Sequence, residues 1–140
     1  MSRPAHGLAA IAALALLAPL SGCAAGPSLF GGGAHASVYT SIDDYRTAAS
    51  TVFTGPAWVP DSATTIRIKT REDIGALLSY SPAEALPAEC TGETPPEVPD
   101  LLETWWPTEL PAAVSDCDDG WHAFHSGSTV YAYTTANLTP

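Results

Sequence analysis

Basic residues are scarce in this chain. Its 140 residues include 5 lysines and arginines against 15 aspartates and glutamates, the formal net charge is −10, and Lys69 is the single lysine. Nucleic-acid binding requires clustered lysine and arginine, and so does docking on anionic lipid by charge alone. We therefore predict neither activity. The acidity indicates a well-solvated surface whose negative charge repels other copies of the protein.

Long apolar runs and known catalytic motifs are also missing. The longest apolar run, residues 7–20, has 14 residues, fewer than the roughly 18–20 that a transmembrane helix needs. The sequence contains no G-x-S-x-G, no H-E-x-x-H and no glycine-rich phosphate loop, and its carboxylates are scattered through segments that read as loops. We predict no catalytic residues, no metal and no cofactor, and hence a protein that is not an enzyme.

What the amino terminus does contain is the ordered set of features of an export signal. A short polar start with Arg3 precedes the apolar run, and the small residues Ser21 and Gly22 follow it. This order is typical of a signal peptide that is removed by cleavage. The alternatives are an ordinary secretory signal followed by a chance cysteine and a buried amino-terminal helix.

The motif Leu20-Ser21-Gly22-Cys23 resembles a bacterial lipobox, and the general layout resembles the small lipoproteins of actinobacteria. The resemblance implies cleavage between Gly22 and Cys23 and acylation of the Cys23 sulfur by palmitate or a similar chain. Two or three acyl chains on one cysteine give a stable anchor. The resemblance therefore implies that the protein is attached by lipid to the extracytoplasmic face of the cell membrane.

Three segments follow from this interpretation: a signal peptide with its signal helix (1–22), a flexible tether (23–37) and a single extracytoplasmic domain (38–140). Residues 24–36 are rich in glycine and alanine and show no apolar period, as in a flexible linker. Cleavage would leave 118 residues with 4 basic and 15 acidic side chains, a net charge of −11. That length suffices for one small domain.

Hydrophobic periodicity predicts an α+β domain in which one helix packs on a small antiparallel sheet of about four strands. The helix covers residues 38–53, with Ser41 and Asp44 as its capping residues. The strands, recognised by alternation or by β-branched and aromatic content, cover residues 64–70, 76–80, 121–125 and 129–134. A helical turn is the alternative for the second of them.

Two cysteines remain once Cys23 is assigned to the anchor. Cys90 and Cys117 form an even pair, and export makes a disulfide the default for such a pair. A zinc site is the rival interpretation, but no C-x-x-C spacing supports it. The disulfide would fasten the proline-rich segment 81–100, which we predict to be a long loop without regular structure.

Aromatic and acidic clusters offer further candidate sites. Trp105 and Trp106 favour core packing, but an exposed pair would form a candidate binding surface for a sugar ring or a partner. His122 and His125 on a strand would point to opposite faces and could not share a metal ion. The acidic stretch Asp116, Asp118, Asp119 and Gly120 lacks the spacing of a calcium loop and reads as a solvated turn.

Three hypotheses for function follow. The first is a non-enzymatic binding or interaction module at the cell envelope, whose partner is an envelope protein or glycan. The second is an envelope hydrolase or metal-dependent enzyme that uses the Asp116/Asp118/Asp119 region. The third is a structural or inhibitory lipoprotein.

Overall fold

The computed structural model describes residues 33–136 and Leu138. The predicted signal peptide, the cleavage site at Gly22, the lipidated Cys23 and most of the tether lie outside the described residues. In the part of the chain that is described, no helix is long and apolar enough to cross a membrane.

The described chain is mostly one antiparallel sheet of seven strands, ordered β1-β2-β3-β7-β6-β5-β4, with one α-helix. The helix α1 spans Ile42–Thr51, and a single 3-10 turn spans Asp118–Gly120. The strands are β1 (Ala34–Tyr39), β2 (Thr65–Arg71), β3 (Gly75–Ser81), β4 (Thr91–Thr94), β5 (Val114–Cys117), β6 (Trp121–Ser126) and β7 (Thr129–Thr134).

The prediction of an α+β domain with a four-stranded sheet is therefore wrong. Strands β2, β3, β6 and β7 occupy the four predicted segments, and β1, β4 and β5 are additional. β1 lies where the sequence predicts the end of the tether and the start of the helix, and β4 lies in the proline-rich loop. These short polar segments have little β propensity of their own, so pairing with a neighbouring strand makes them strands.

Helix α1 is shorter than predicted, but its capping residue is confirmed. The hydroxyl of Ser41 accepts hydrogen bonds from the backbone N–H groups of Asp43 and Asp44, at 3.2 and 3.4 Å. These bonds satisfy donors that have no partner within the helix. Tyr45 and Ala48 turn toward the sheet and are buried.

Both faces of the sheet are covered. α1 and the segment that follows it pack on one face, which we call the helix face, against side chains such as Ile66, Leu78 and Tyr80. The segment between β4 and β5 covers the other, the loop face, where Leu101 and Trp106 meet side chains of the central strands. Because strand side chains alternate between faces, the central strand β3 is buried along nearly its whole length.

The predicted disulfide is confirmed. Cys90 and Cys117 are bonded to each other across a sequence separation of 27 residues. The bond joins the residue before β4 to the last residue of β5, and β4 and β5 are also paired with each other. It therefore fastens the carboxyl end of segment 82–89, which we call the wall segment, to the sheet.

Candidate ligand-binding cleft

A concavity lies on the helix face, between the sheet and the wall segment. Its volume is about 590 Å³, within the range of small-molecule sites in proteins. The side chains that give it chemical character are those of Trp58, Tyr80, Glu84, Leu86 and Glu89. We call this concavity the Trp58 cleft.

Aromatic rings that are held by the core form one side of the Trp58 cleft. Tyr80 comes from β3 and is 1% exposed, while Trp58 comes from the loop after α1 and is 8% exposed. The Trp58 ring lies 6.3 Å from the Tyr80 ring and meets the Trp121 ring edge-on, with 6.1 Å between centroids. Such contacts hold Trp58 in one orientation, so the aromatic surface is formed before any ligand arrives.

The indole of Trp58 has an unused hydrogen-bond donor. Its Nε1–H is buried and has no acceptor among the described residues. A buried donor without a partner costs about 1–3 kcal/mol, so native structures rarely tolerate one without a reason. The other such side-chain atom in the described ranges, Ser79 Oγ, belongs to a residue on the loop face. Trp58 lines the cleft, but its Nε1 atom has less than 1 Å² of accessible surface, so the donor itself does not face the open part of the cleft.

Two carboxylates from the wall segment give the cleft its charge. Glu84 and Glu89 are exposed, and neither lysine nor arginine occurs among the described residues that line the cleft. Burial, with a smaller contribution from the Glu89 carboxylate, raises the pKa of Tyr80 to about 12. The phenol therefore keeps its proton at neutral pH, and the negative charge of the cleft comes from the two glutamates.

The wall segment is attached to the sheet at both ends. The backbone N–H of Ala83 donates to the carbonyl of Ser128 at 2.9 Å, and the carbonyl of Ala83 lies 2.9 Å from Nε2 of His125. At the other end, the disulfide ties Cys90 to β5. A wall held in this way loses little conformational entropy when a ligand binds.

The two tryptophans of the candidate binding surface have different environments. Trp106 is 8% exposed, and its ring meets Phe124, Tyr131 and Tyr133 edge-on at 5.8–6.2 Å. It is part of the core, as its residue type favours, and does not form an exposed stacking platform with Trp105, which is half-buried.

A second, more apolar concavity of about 410 Å³ lies beside Trp106 on the loop face. Val98 and Leu102, which line it, are 81% and 79% exposed. It carries one charged side chain, Glu103, whose carboxylate pairs with Lys69 at 2.5 Å.

The acidic turn and the two histidines do not come together as one site. Asp116 Oδ1 lies 2.8 Å from His122 Nδ1, because the two residues face each other in the register of β5 and β6. Asp118 and Asp119 are exposed in the 3-10 turn. His125 lies on the opposite face from His122, as predicted, and contacts the wall segment. Within residues 33–136, no three His, Cys, Asp or Glu side chains are grouped closely enough to hold a metal ion.

Sequence reasoning did not select the residues of the Trp58 cleft. They come from the loop after α1, from β3 and from a segment predicted to be an irregular loop. The sequence does show a tryptophan two residues before a proline at residues 58–60 and an acidic, proline-rich stretch after β3. Nothing in the spacing of these signals indicates that they are neighbours.

No protein-family model matches the chain, and searches of curated proteins and of solved structures find no match either.

Proposed function

We propose that this protein is a lipid-anchored, extracytoplasmic binding module without enzymatic activity, and that it holds its ligand in the Trp58 cleft. The observation that carries the binding role is the cleft itself. It combines a preformed aromatic surface, a wall attached at both ends and a volume of about 590 Å³.

The extracytoplasmic location is supported by two independent features. One is the order of signals that ends in Leu20-Ser21-Gly22-Cys23. The other is the Cys90–Cys117 disulfide, because disulfides persist in oxidising compartments outside the cytoplasm. The anchor would hold the domain at the membrane surface, where the cleft meets ligands of the cell envelope.

Replacing Cys23 tests the location. In a high-GC Gram-positive host, we expect the full-length protein to fractionate with membranes and to have the mass of residues 23–140 plus acyl chains. Cys23→Ala removes the sulfur that would carry the lipid and the residue before which the signal would be cut, so this variant should lose the acyl mass and keep the mass of the uncleaved chain. Ser28→Ala is the matched control and should behave like the wild type. An unmodified thiol at Cys23, or a Cys23→Ala variant that still carries acyl chains, would refute the anchor.

A blocked cleft tests the binding role. We expect at least one class in a probe panel of organic cations, organic anions and neutral sugars to shift the Trp58 indole N–H resonance of the full-length protein in detergent micelles. The resonance is assigned by its loss in Trp58→Phe. Ala85→Trp adds a large side chain at an exposed position that lines the cleft and should abolish the shift.

The matched control for the blocked cleft is Ala112→Trp. This position is also exposed but lies in the segment between β4 and β5, so the probe should still bind. If no class of probe moves the Trp58 resonance, or if Ala85→Trp binds as well as the wild type, the cleft is not the binding site.

A further inference from the structure

No cation of the described residues pairs with the carboxylates of the Trp58 cleft. The ion pairs of the described chain are Arg46 with Asp61, Lys69 with Glu103, and His122 with Asp116. None of them involves Glu84 or Glu89. The cleft therefore presents two negative charges five residues apart, on a protein whose net charge is already −10.

The remaining basic side chains lie elsewhere. Arg67 and Arg71 are on β2, at positions that alternate with the helix-face residues Ile66 and Ile68, so they belong to the loop face. Arg46, on α1 of the helix face, pairs with Asp61 and does not line the cleft, so the charge at the described lining of the cleft is negative.

We propose that the Trp58 cleft binds an organic cation: an ammonium or guanidinium group on a short apolar stem. This proposal rests on the cleft being a binding site, as proposed above, and assigns the class of its ligand. A free amine and a lysine or arginine side chain of a peptide share this chemistry.

Each part of such a ligand has a counterpart in the cleft. Glu84 and Glu89 accept charge-assisted hydrogen bonds from the cation, which are stronger than bonds between neutral groups. Leu86 and Pro87, which are half-buried, and the exposed part of Trp58 offer apolar area for the stem.

The same groups disfavour other ligand classes. An organic anion would meet two carboxylates and no basic residue at the described lining. A neutral sugar would contact the aromatic rings and donate hydroxyl hydrogens to the carboxylates, but it would leave both negative charges uncompensated. The charge balance therefore favours the cation over the sugar.

The test is a titration of the full-length protein in micelles at low salt, followed by the Trp58 indole resonance. The cationic probes are N-acetyl-lysine methylamide, N-acetyl-arginine methylamide and 5-amino-1-pentanol. N-acetyl-norleucine methylamide is the neutral counterpart of the lysine probe, and a neutral disaccharide represents sugars. We expect the norleucine probe to bind at least tenfold more weakly than the lysine probe. Raising the salt from 0.02 to 0.2 M should weaken the cationic probes several-fold, because exposed charges are screened.

Paired substitutions locate the charges. Glu84→Gln with Glu89→Gln should weaken the cationic probes at least tenfold, and both positions are exposed, so the fold should tolerate the change. Asp100→Asn with Glu109→Gln alters the net charge by the same amount at exposed positions between β4 and β5. This matched control should change binding by less than twofold.

The outcomes separate this proposal from the one on which it rests. Tighter binding of the lysine or arginine probe than of 5-amino-1-pentanol identifies a peptide side chain as the ligand, and the reverse identifies a free amine. Equal or better binding of the norleucine probe or the disaccharide overturns the cation proposal and leaves the binding role intact. Unchanged binding after Glu84→Gln/Glu89→Gln likewise overturns the cation proposal and leaves the binding role intact. If no probe of any class binds, both proposals fall.

Discussion

Removing the Cys90–Cys117 disulfide is expected to lower the free energy of unfolding by roughly 3–4 kcal/mol. The bond closes a loop across a sequence separation of 27 residues, and in the chain-entropy model the closure restricts the unfolded chain. A small domain is stable by only about 5–15 kcal/mol, so the loss is a large share of the total. Urea unfolding of the wild type and of Cys90→Ala/Cys117→Ala would measure it.

Reduction provides the control for the disulfide experiment. A reductant should destabilise the wild type by a similar amount and leave the double variant unchanged, because the variant has no bond to reduce. A loss below about 1 kcal/mol would contradict the role given to the bond, since the chain-entropy model predicts several times more. The double variant should also bind cationic probes more weakly than the wild type, because one end of the wall segment is released from the sheet.

The second large effect is expected at Trp106. Trp106→Ala should lower the free energy of unfolding by about 3–5 kcal/mol, because it removes a buried ring and leaves a cavity in the loop-face core. Trp105→Ala is the matched control, since it removes the same side chain from the neighbouring, half-buried position. Its effect should be clearly smaller, as less apolar area returns to water. Denaturant unfolding followed by far-ultraviolet circular dichroism measures both.

A milder variant keeps the Trp106 prediction testable if Trp106→Ala does not fold. Trp106→Phe retains an aromatic ring against Phe124, Tyr131 and Tyr133 and should lose less stability than the alanine variant. Equal losses of unfolding free energy in Trp105→Ala and Trp106→Ala would contradict this prediction, because the two rings would then stabilise the fold equally although Trp106 is more buried.

Local sequence patterns predicted the elements whose residues alternate clearly or flank a recognisable turn. The alternation of Ile66 and Ile68 with Arg67 and Lys69 indicates a strand with one buried face, and β2 lies there. The hairpin of β6 and β7 was indicated by aromatic and β-branched residues on either side of Gly127, which has a positive φ of 63° in the turn.

Strands β1, β4 and β5 could not be predicted in this way. β1 pairs with β2 from Ala34 opposite Arg71 to Tyr39 opposite Ile66, and it carries alanine, serine and histidine rather than a strong apolar alternation. β4 lies within the proline-rich segment and is held by β5 and by the disulfide at Cys90. Their conformations depend on partners that are distant in sequence, and single-sequence patterns contain no information about those partners.

The sequence by itself determined the capped helix after Ser41, the alternating strand β2 and the β6–β7 hairpin, because each depends on neighbouring residues. It also indicated the pairing of Cys90 with Cys117, given the predicted assignment of Cys23 to an anchor. Only the tertiary structure decided that the sheet has seven strands, that Trp106 belongs to the core and that Trp58, Tyr80, Glu84 and Glu89 line one cleft. The physical reason is the same in each case. Strand pairing and burial join segments that are far apart in the chain, so the contacts that define them exist only after the chain has folded.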